Sequence, residues 1–561
     1  MTKKPRLDTS CSRFRGLRES GCYLIDKSLF IQDLVDAEQS LVIPRPRRFG
    51  KTTNLDMAAE FFDLKHSDQA QLFQGMKILE HQELCAKHMG KHPVLTLTLK
   101  DWQSCDIASL HRRLAMEMSA LVGQHRAACG ALDKAGQEII QRISSNQASR
   151  EDLQKTLGLL CQALTLHHKI QPVVLIDEYD APIHAAYAEG FYPEAIKLLR
   201  PWLSSIFKDS PYVFKACLTG ILRISRESLF SGLNNVEPYT IINRRHKGFF
   251  LDKFGFTEEE VRQILVDFGK ADYLEPCRSW YNGYKFGPHT IYNPWSITHY
   301  ASSDESVPEA FWVNTSSNLM IWEQLKLSSD RVRKEMMSII AGGSVRRSIN
   351  EATSLIDLPS SEALWSLMLF AGYLKADELI IDDEGVSTYK LEIPNREVQT
   401  TFRTFVNEAF SKVKVELEDL PFAMLAEDRI AELQESLESY FLGCASYFDL
   451  GQVPENFIHG LFFGICSHLR KDFVILSNPE TGKGRADLLM IPRDPARKLS
   501  AKLIEFKVAT EAQTIEQALA AAFEQIEKRD YAARLREAQC ERVLKLGIAV
   551  KGKAIKIECR N

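Results

Sequence analysis

Two groups of residues in this 561-residue chain combine types and spacings that suit phosphate chemistry. The first is Arg45-Pro-Arg-Arg-Phe-Gly-Lys-Thr-Thr, between the apolar run Leu41-Val-Ile and a helical pattern over Asn54–Leu64. Backbone N–H groups of such a loop, and of the helix start behind it, cradle phosphate oxygens. On this reading Arg48, Phe49, Gly50, Lys51, Thr52 and Thr53 form the cradle. Lys51 would reach the β- and γ-phosphates, and Thr52 would offer a hydroxyl to Mg2+. The usual spacing places glycine where this chain has Arg45, and a lone Gly-Lys-Thr also occurs by chance at helix starts.

A second acidic motif strengthens the reading. Val173-Val-Leu-Ile-Asp-Glu-Tyr-Asp is an apolar strand ending in two carboxylates. Asp177 is placed to hold Mg2+ through water, and Glu178 to orient an attacking water. Carboxylates at the end of a buried strand are costly unless a cation compensates them, and Lys51 is the candidate. Val213–Gly220 reads as a further strand whose Thr219 could sense the γ-phosphate. Arg223 follows, either stabilising transition-state charge or serving as an ordinary surface arginine.

The second group is Asp487, with Glu505 and Lys507. Glu505 and Lys507 are two apart on a strand, so both point to one face. Asp487 begins the preceding strand, and a strand pair of this length brings the two carboxylates together. Asp487 and Glu505 would then bind Mg2+, a cation that prefers carboxylate oxygens. Lys507 would hold water or neutralise charge. An Asp and a Glu-x-Lys on adjacent strands also occur by chance.

These groups need scaffolds. Leu41–Ile43, Val94–Leu99, Val173–Ile176 and Val213–Leu218 read as strands, and Asn54–Leu64, Ile107–Val122 and Glu194–Phe207 as helices. Strands separated by helices predict a parallel α/β sheet. A capping Thr257 before three glutamates opens a helical stretch, and Trp280-Tyr-Asn-Gly-Tyr-Lys-Phe an aromatic loop that stacks bases or packs under a lid. After Phe448–Pro454 the pattern runs helix, strand, hairpin, strand, strand, helix, strand. The expected organisation is a nucleotide-binding domain over 14–248, a helical second domain over 249–376, a helical connector over 377–447 and an α/β domain over 448–561.

Composition sets outer bounds. A 45% hydrophobic, 26% charged chain is ordinary for a globular protein. No apolar run approaches the roughly 18 residues of a membrane span. The basic start Met-Thr-Lys-Lys lacks the apolar core of a secretory signal, so a cytoplasmic location is expected. The 12 cysteines are scattered with no Cys-x-x-Cys pair, as thiols of a reducing compartment would be. Residues 451–561 hold 19 Lys and Arg against 14 Asp and Glu, a net +5, while the first 450 residues are net −9. A basic C-terminal part suits a phosphate-backbone partner.

Residues from about Phe14 to Asn243 resemble the AAA-ATPase-like domain common in bacterial and mobile-element proteins. The motifs are Tyr23-Leu-Ile-Asp-Lys, Pro44-Arg-Pro-Arg-Arg-Phe-Gly-Lys-Thr, Leu175-Ile-Asp-Glu-Tyr-Asp-Ala-Pro and Leu218-Thr-Gly-Ile-Leu-Arg-Ile-Ser, continued by Phe230-Ser-Gly-Leu-Asn-Asn, Trp280-Tyr-Asn-Gly-Tyr and Tyr292-Asn-Pro-Trp-Ser. That family writes Arg-Pro-Arg-Arg-Phe-Gly-Lys in place of the glycine-rich loop, so the resemblance makes Arg45 a family trait. Residues from about Pro454 to Val550 resemble the PD-(D/E)XK nuclease superfamily. The resemblance assigns Asp487, Glu505 and Lys507 to its active site, matches Glu455 to an acidic residue on the preceding helix, and places Gln517 or Gln525 where members carry a catalytic glutamine. Together they imply an ATP-binding and ATP-hydrolysing protein with a Mg2+-dependent nuclease acting on DNA, the ATPase gating or driving cleavage. An arginine finger often comes from a neighbouring subunit, so a homo-oligomer is compatible. The rivals are an ATPase whose nuclease fold only binds nucleic acid, and a nucleotide-switch scaffold.

Overall fold

The computed structural model describes residues 6–560 except 8–10, 208–209, 222–235, 243–247, 304–306, 313–329, 341, 352–360, 382–385, 401–423, 445–461, 463–465, 467–468, 470–471, 478–479, 482–483, 486, 495–498, 511, 529–541 and 552–553. The chain forms two compact units, Met1–Arg403 and Thr404–Asn561.

The first unit is built on five strands, β1 (Ser40–Pro44), β2 (Val94–Thr98), β3 (Val173–Asp177), β4 (Lys215–Gly220) and β5 (Val236–Pro238). Their order is β2-β3-β4-β1-β5, and every neighbouring pair is parallel. All five carboxyl ends therefore lie on one edge of the sheet. β1, β3 and β4 are buried at every position, as expected when helices cover both faces. β4 lies between β1 and β3, with Thr219 aligned to Ile43 and Leu218 to Ile176. That register sets Thr219 between the loop leaving β1 and the acidic end of β3.

The helices include α1 (Lys51–Phe62), α2 (Ile107–Gln124), α3 (Arg150–His168) and α4 (Tyr192–Phe207). α3 has a reciprocal cap between Ser149 and Asp152 and buries Leu153, Leu157, Leu160, Cys161 and Leu164. Those positions recur at helical spacing, though the sequence reading did not single this helix out.

The middle stretch is helical over Glu258–Asp267, Leu274–Tyr281, Pro294–Ser302, Asp330–Ile340 and Ser361–Ala371. Thr257 caps the first of these reciprocally with Glu260, as expected. A hairpin pairs Tyr284–Phe286 with His289–Ile291. Val345–Arg347, Ser387–Glu392 and Lys375–Ile381 form a three-stranded antiparallel sheet. The last two strands occupy the beginning of the stretch read as a helical connector, because cross-strand pairing of Ile380, Tyr389 and Leu391 outweighs helix-forming Glu and Lys. The aromatic loop packs inward: Tyr281, Tyr284 and Phe286 are buried. Its Gly283 has φ +131, and a Cβ there would stand 1.9 Å from the Pro394 carbonyl oxygen.

The second unit contains α5 (Ile430–Cys444), the strands β6 (Phe473–Ser477), β7 (Leu488–Pro492), β8 (Ala501–Val508), β9 (Val543–Lys551) and β10 (Ala554–Arg560), and α6 (Ile515–Lys528). A short pairing of Glu480–Thr481 with Gly484–Arg485 supplies the expected hairpin. The sheet order is β6-β7-β8-β9-β10, antiparallel except for β8 with β9. α6 is the crossover that a parallel pair requires. One face buries Leu488, Met490, Ile504, Phe506 and Leu546 with Leu433 and Leu437 of α5. The other buries Leu489, Leu503 and Ala549 with Leu519, Phe523 and Ile526 of α6. β10 was not anticipated. Most of the helix expected over Glu455–Leu469 lies outside the described residues.

Candidate active sites

β1 delivers the loop 45–50 to the carboxyl edge of the sheet, and Gly50, at φ +84, turns it into α1. That left-handed conformation costs a residue with a Cβ about 1–2 kcal/mol, which explains glycine. Lys51, buried in the first turn, donates its ammonium to the carbonyl oxygens of Arg45 at 3.0 Å and Pro46 at 2.9 Å. An ammonium has three donors, so one remains for a ligand. Burial lowers the Lys51 pKa, and Asp177, Glu178 and Asp180 act in the opposite direction.

Asp177 collects hydroxyls from two directions. Thr52 Oγ1 donates to Asp177 Oδ2 at 2.5 Å, and Thr219 Oγ1 to Asp177 Oδ1 at 2.5 Å. Thr53 is the half-buried next residue of α1. Glu178 follows at φ +50, a conformation rare for a side chain of its kind and worth on the order of 1–3 kcal/mol of strain. Its N–H donates to Asp177 Oδ1 at 3.0 Å, while Tyr179 N donates to the Thr219 carbonyl at 3.1 Å. Burial raises the Glu178 pKa, Asp177 and Asp180 add to the rise, and Lys51 and Arg47 oppose it.

Arg45, Phe49 and Arg48 of the loop are held by partners elsewhere in the unit. Arg45 is fully buried and donates to the carbonyl oxygens of Pro44, Tyr239 and Phe250 at 2.8, 2.6 and 2.9 Å. Its guanidinium also lies over Phe254 and Phe286, and burial pushes its pKa down to about 9. Arg45 thus fixes the start of the loop from the protein side, where the usual glycine would fix nothing. Phe49 is buried against Tyr284 and Phe286, so only its backbone is placed to meet a ligand. The Arg48 guanidinium stacks on Trp295 at 3.7 Å. Arg223 lies outside the described residues.

Sequence reasoning missed two neighbours. Arg47, half-buried, acts electrostatically on both Lys51 and Glu178. Asp180 accepts from Ile221 N at 2.8 Å, and its Oδ1 lies 2.6 Å from where a Cβ on Gly220 would stand. The available signals were the arginine run within the loop and an Asp one turn beyond Asp177.

In the second unit, the β7–β8 register pairs Leu488 with Ile504. Continued by one pair, it sets Asp487 opposite Glu505. Asp487 Oδ2 accepts from Phe506 N at 2.8 Å, which pins it to the β8 backbone between Glu505 and Lys507. Glu505 is fully buried, and Lys507 Nζ lies 3.8 Å from Glu505 Oε1. Lys507 Nζ also donates to the Phe506 carbonyl at 3.0 Å. Glu505 shares its face of β8 with Leu503, the face that α6 covers. Its register partner on β9 is Gly547, where a Cβ would stand 2.8 Å from the Phe523 ring of α6. Gln525 is half-buried on α6. Gln517 is exposed, and its side chain accepts from Thr514 N at 2.9 Å as a helix cap. Glu455 lies outside the described residues.

Both donor sets are hard oxygens, a fit for Mg2+. Among the described residues no three His, Cys, Asp or Glu side chains cluster tightly enough to cage a metal. An ion would therefore complete its shell with water and phosphate oxygens, as Mg2+ commonly does. Among the described residues no helix is long and apolar enough to cross a membrane.

Both units resemble known protein families. Residues 9–230 match the family model described as predicted AAA-ATPase, and residues 453–559 match that of the PD-(D/E)XK nuclease superfamily. An uncharacterized protein in the vnfD 5' region of Azotobacter chroococcum mcd 1 is 28% identical over 415 residues, 73% of this chain and 70% of that protein. No solved structure matches.

Proposed function

We propose that this chain, a fusion of an AAA-ATPase-like domain with a PD-(D/E)XK nuclease-superfamily domain, hydrolyses ATP in its first unit and cuts DNA phosphodiester bonds in its second. The observation that carries the ATPase reading is the meeting of Thr52 and Thr219 on Asp177, next to buried Lys51. Lys51 binds phosphate oxygens, and Glu178, its carboxylate less acidic through burial, orients and accepts a proton from the attacking water. Thr219 reports the γ-phosphate to Asp177, and Arg47 or Arg223 spreads the transition-state charge.

In the second unit Asp487 and Glu505 position the scissile phosphate and its water, with Lys507 beside them as a proton or charge partner. Gln525 and Glu455 complete the set by family resemblance. Thr52 and Asp177 would hold Mg2+ at the first site and Asp487 and Glu505 at the second, where the ion supplies charge neutralisation and a more acidic water. Nucleotide occupancy gates or drives cleavage. A cytoplasmic location, DNA as partner and a homo-oligomer belong to the same reading.

Supercoiled and linear DNA incubated with the full chain, with and without Mg2+ and ATP, tests it. Mg2+-dependent nicking or shortening that responds to ATP is the expected result. Retarded but uncut DNA would favour a nuclease fold that only binds. No DNA affinity together with slow ATP turnover would favour a nucleotide-switch scaffold.

A further inference from the structure

We infer that Glu397 is a positioning residue for the phosphate loop, acting through Trp312 and Trp295 from about 350 residues down the chain. The inference rests on the nucleotide reading of the Lys51 loop.

Glu397 is fully buried in the first unit. Burying a carboxylate is costly, so its partners matter. It accepts from Trp312 N at 2.8 Å, and Ser296 Oγ approaches its two oxygens at 3.0 and 2.7 Å. Each of these partners leads to the loop. The Trp312 indole N–H donates to the Arg47 carbonyl at 3.3 Å, and its ring packs on Tyr373. Ser296 is in the first turn of the helix Pro294–Ser302, directly after Trp295. The Trp295 ring carries the Arg48 guanidinium, and its own indole N–H donates to the Phe311 carbonyl at 3.1 Å.

Two successive loop residues are thus held by two indoles, Arg47 through its backbone and Arg48 through its side chain. One carboxylate accepts from the Trp312 backbone and from Ser296, next to Trp295, and so fixes the backbone that carries both indoles. The carboxylate is itself anchored: Asn395 Nδ2 donates to the Tyr281 carbonyl at 3.2 Å, and Pro394 closes on Gly283. Arg47 and Arg48 are flanked by Arg45 and Gly50, the other fixed points of the loop, so the relay sets the segment between them. A phosphate cradle built from backbone N–H groups depends on that placement.

The relay needs acceptor atoms on residue 397. Gln supplies a carbonyl oxygen for Trp312 N and an amide that pairs with the Ser296 hydroxyl, whereas Leu supplies neither. Affinity of the full chain for ATP with Mg2+, measured by titration calorimetry, tests this. Glu397→Gln is expected to stay within about twofold of wild type, and Glu397→Leu to weaken binding at least about tenfold, as losing several buried hydrogen bonds does. Trp312→Phe removes the indole N–H link and keeps an aromatic ring beside Tyr373, and should weaken binding about threefold to tenfold. It also serves if the Leu variant does not fold. Wild-type affinity in Trp312→Phe, or a Gln variant as weak as the Leu variant, overturns the relay. Lys51→Ala separates the premise: if it binds ATP as wild type does, the nucleotide reading fails and the relay with it. If binding depends on Lys51 but ignores Trp312, only the relay fails.

Discussion

Thr52 and Asp177 are 125 residues apart in sequence, yet the threonine hydroxyl meets the carboxylate at 2.5 Å. This contact closes the first helical turn after the loop onto the end of the acidic strand, and Thr219 meets the same carboxylate from the strand between them. Because both hydroxyls converge on one group, their effects on turnover should not add. Thr52→Ala and Thr219→Val are each expected to slow ATP hydrolysis about tenfold to a hundredfold, and the double variant to fall short of the product. Phosphate release kinetics on the four proteins provide the cycle, and full additivity would mean the two threonines act independently.

Glu178 combines positive φ, burial and a raised pKa. Backbone strain of this kind clusters at active sites. Glu178→Gln should bind ATP with near wild-type affinity and lose at least about a hundredfold in turnover. Glu178→Gly should be equally inactive but more stable, by about 0.5–1 kcal/mol, since glycine adopts this φ without strain. Denaturant titration would show the gain, and a destabilised glycine variant would count against strain at this position.

Arg45 stands where a phosphate loop ordinarily has glycine, but its side chain binds three backbone carbonyls in the interior. Arg45→Gly therefore restores the familiar loop sequence at the expense of the fold. It should destabilise the first unit by on the order of 3 kcal/mol, because buried carbonyls lose their donors and a cavity remains. Arg45→Lys cannot span the same acceptors and should recover less than half of that. A thermal melt of Arg45→Gly coinciding with wild type would contradict the role.

Glu397 carries a pH signature separate from its contacts. Burial lifts its pKa from the ordinary 4.5 to about 7, with the neutral hydroxyls of Tyr281 and Tyr284 nearby. A folded-state pKa above the unfolded one means the folded chain holds the proton more tightly. The stability contributed by this group is then full below about 4.5 and lost as pH rises through about 7, up to about 3 kcal/mol in all. Glu397→Gln, permanently neutral, should gain stability over wild type at pH 8 and little at pH 4.5. Denaturant midpoints at the two values check this, and a pH-independent difference would contradict the shift.

The placement of many candidate site residues was legible because it follows the pattern of the strands that carry them. Val173–Asp177 reads as a buried strand with a polar terminus, and Glu505 with Lys507 as one face of another, from residue types and spacing alone. The roles of Arg45 and Phe49 were not legible. Their partners Tyr239, Phe250, Tyr284 and Phe286 lie about 190 to 240 residues away, and nothing local distinguishes an arginine that binds phosphate from one that binds carbonyls. Glu397 was invisible for the same reason. The strand pair Lys375–Ile381 and Ser387–Glu392 was obscured by helix-favouring residues whose pairing is decided by tertiary contact. β10 is an edge strand that gains its meaning only beside β9.

In the proposed function, two separate sites carry two separate reactions. Phosphate release from ATP and strand cleavage of DNA, measured in parallel on wild type, Lys51→Ala and Lys507→Ala, test it most directly. Lys51→Ala is expected to lose ATP hydrolysis, and Lys507→Ala to lose cleavage while hydrolysing ATP as wild type does. ATP hydrolysis at the wild-type rate in Lys51→Ala, or cleavage at the wild-type rate in Lys507→Ala, would contradict it.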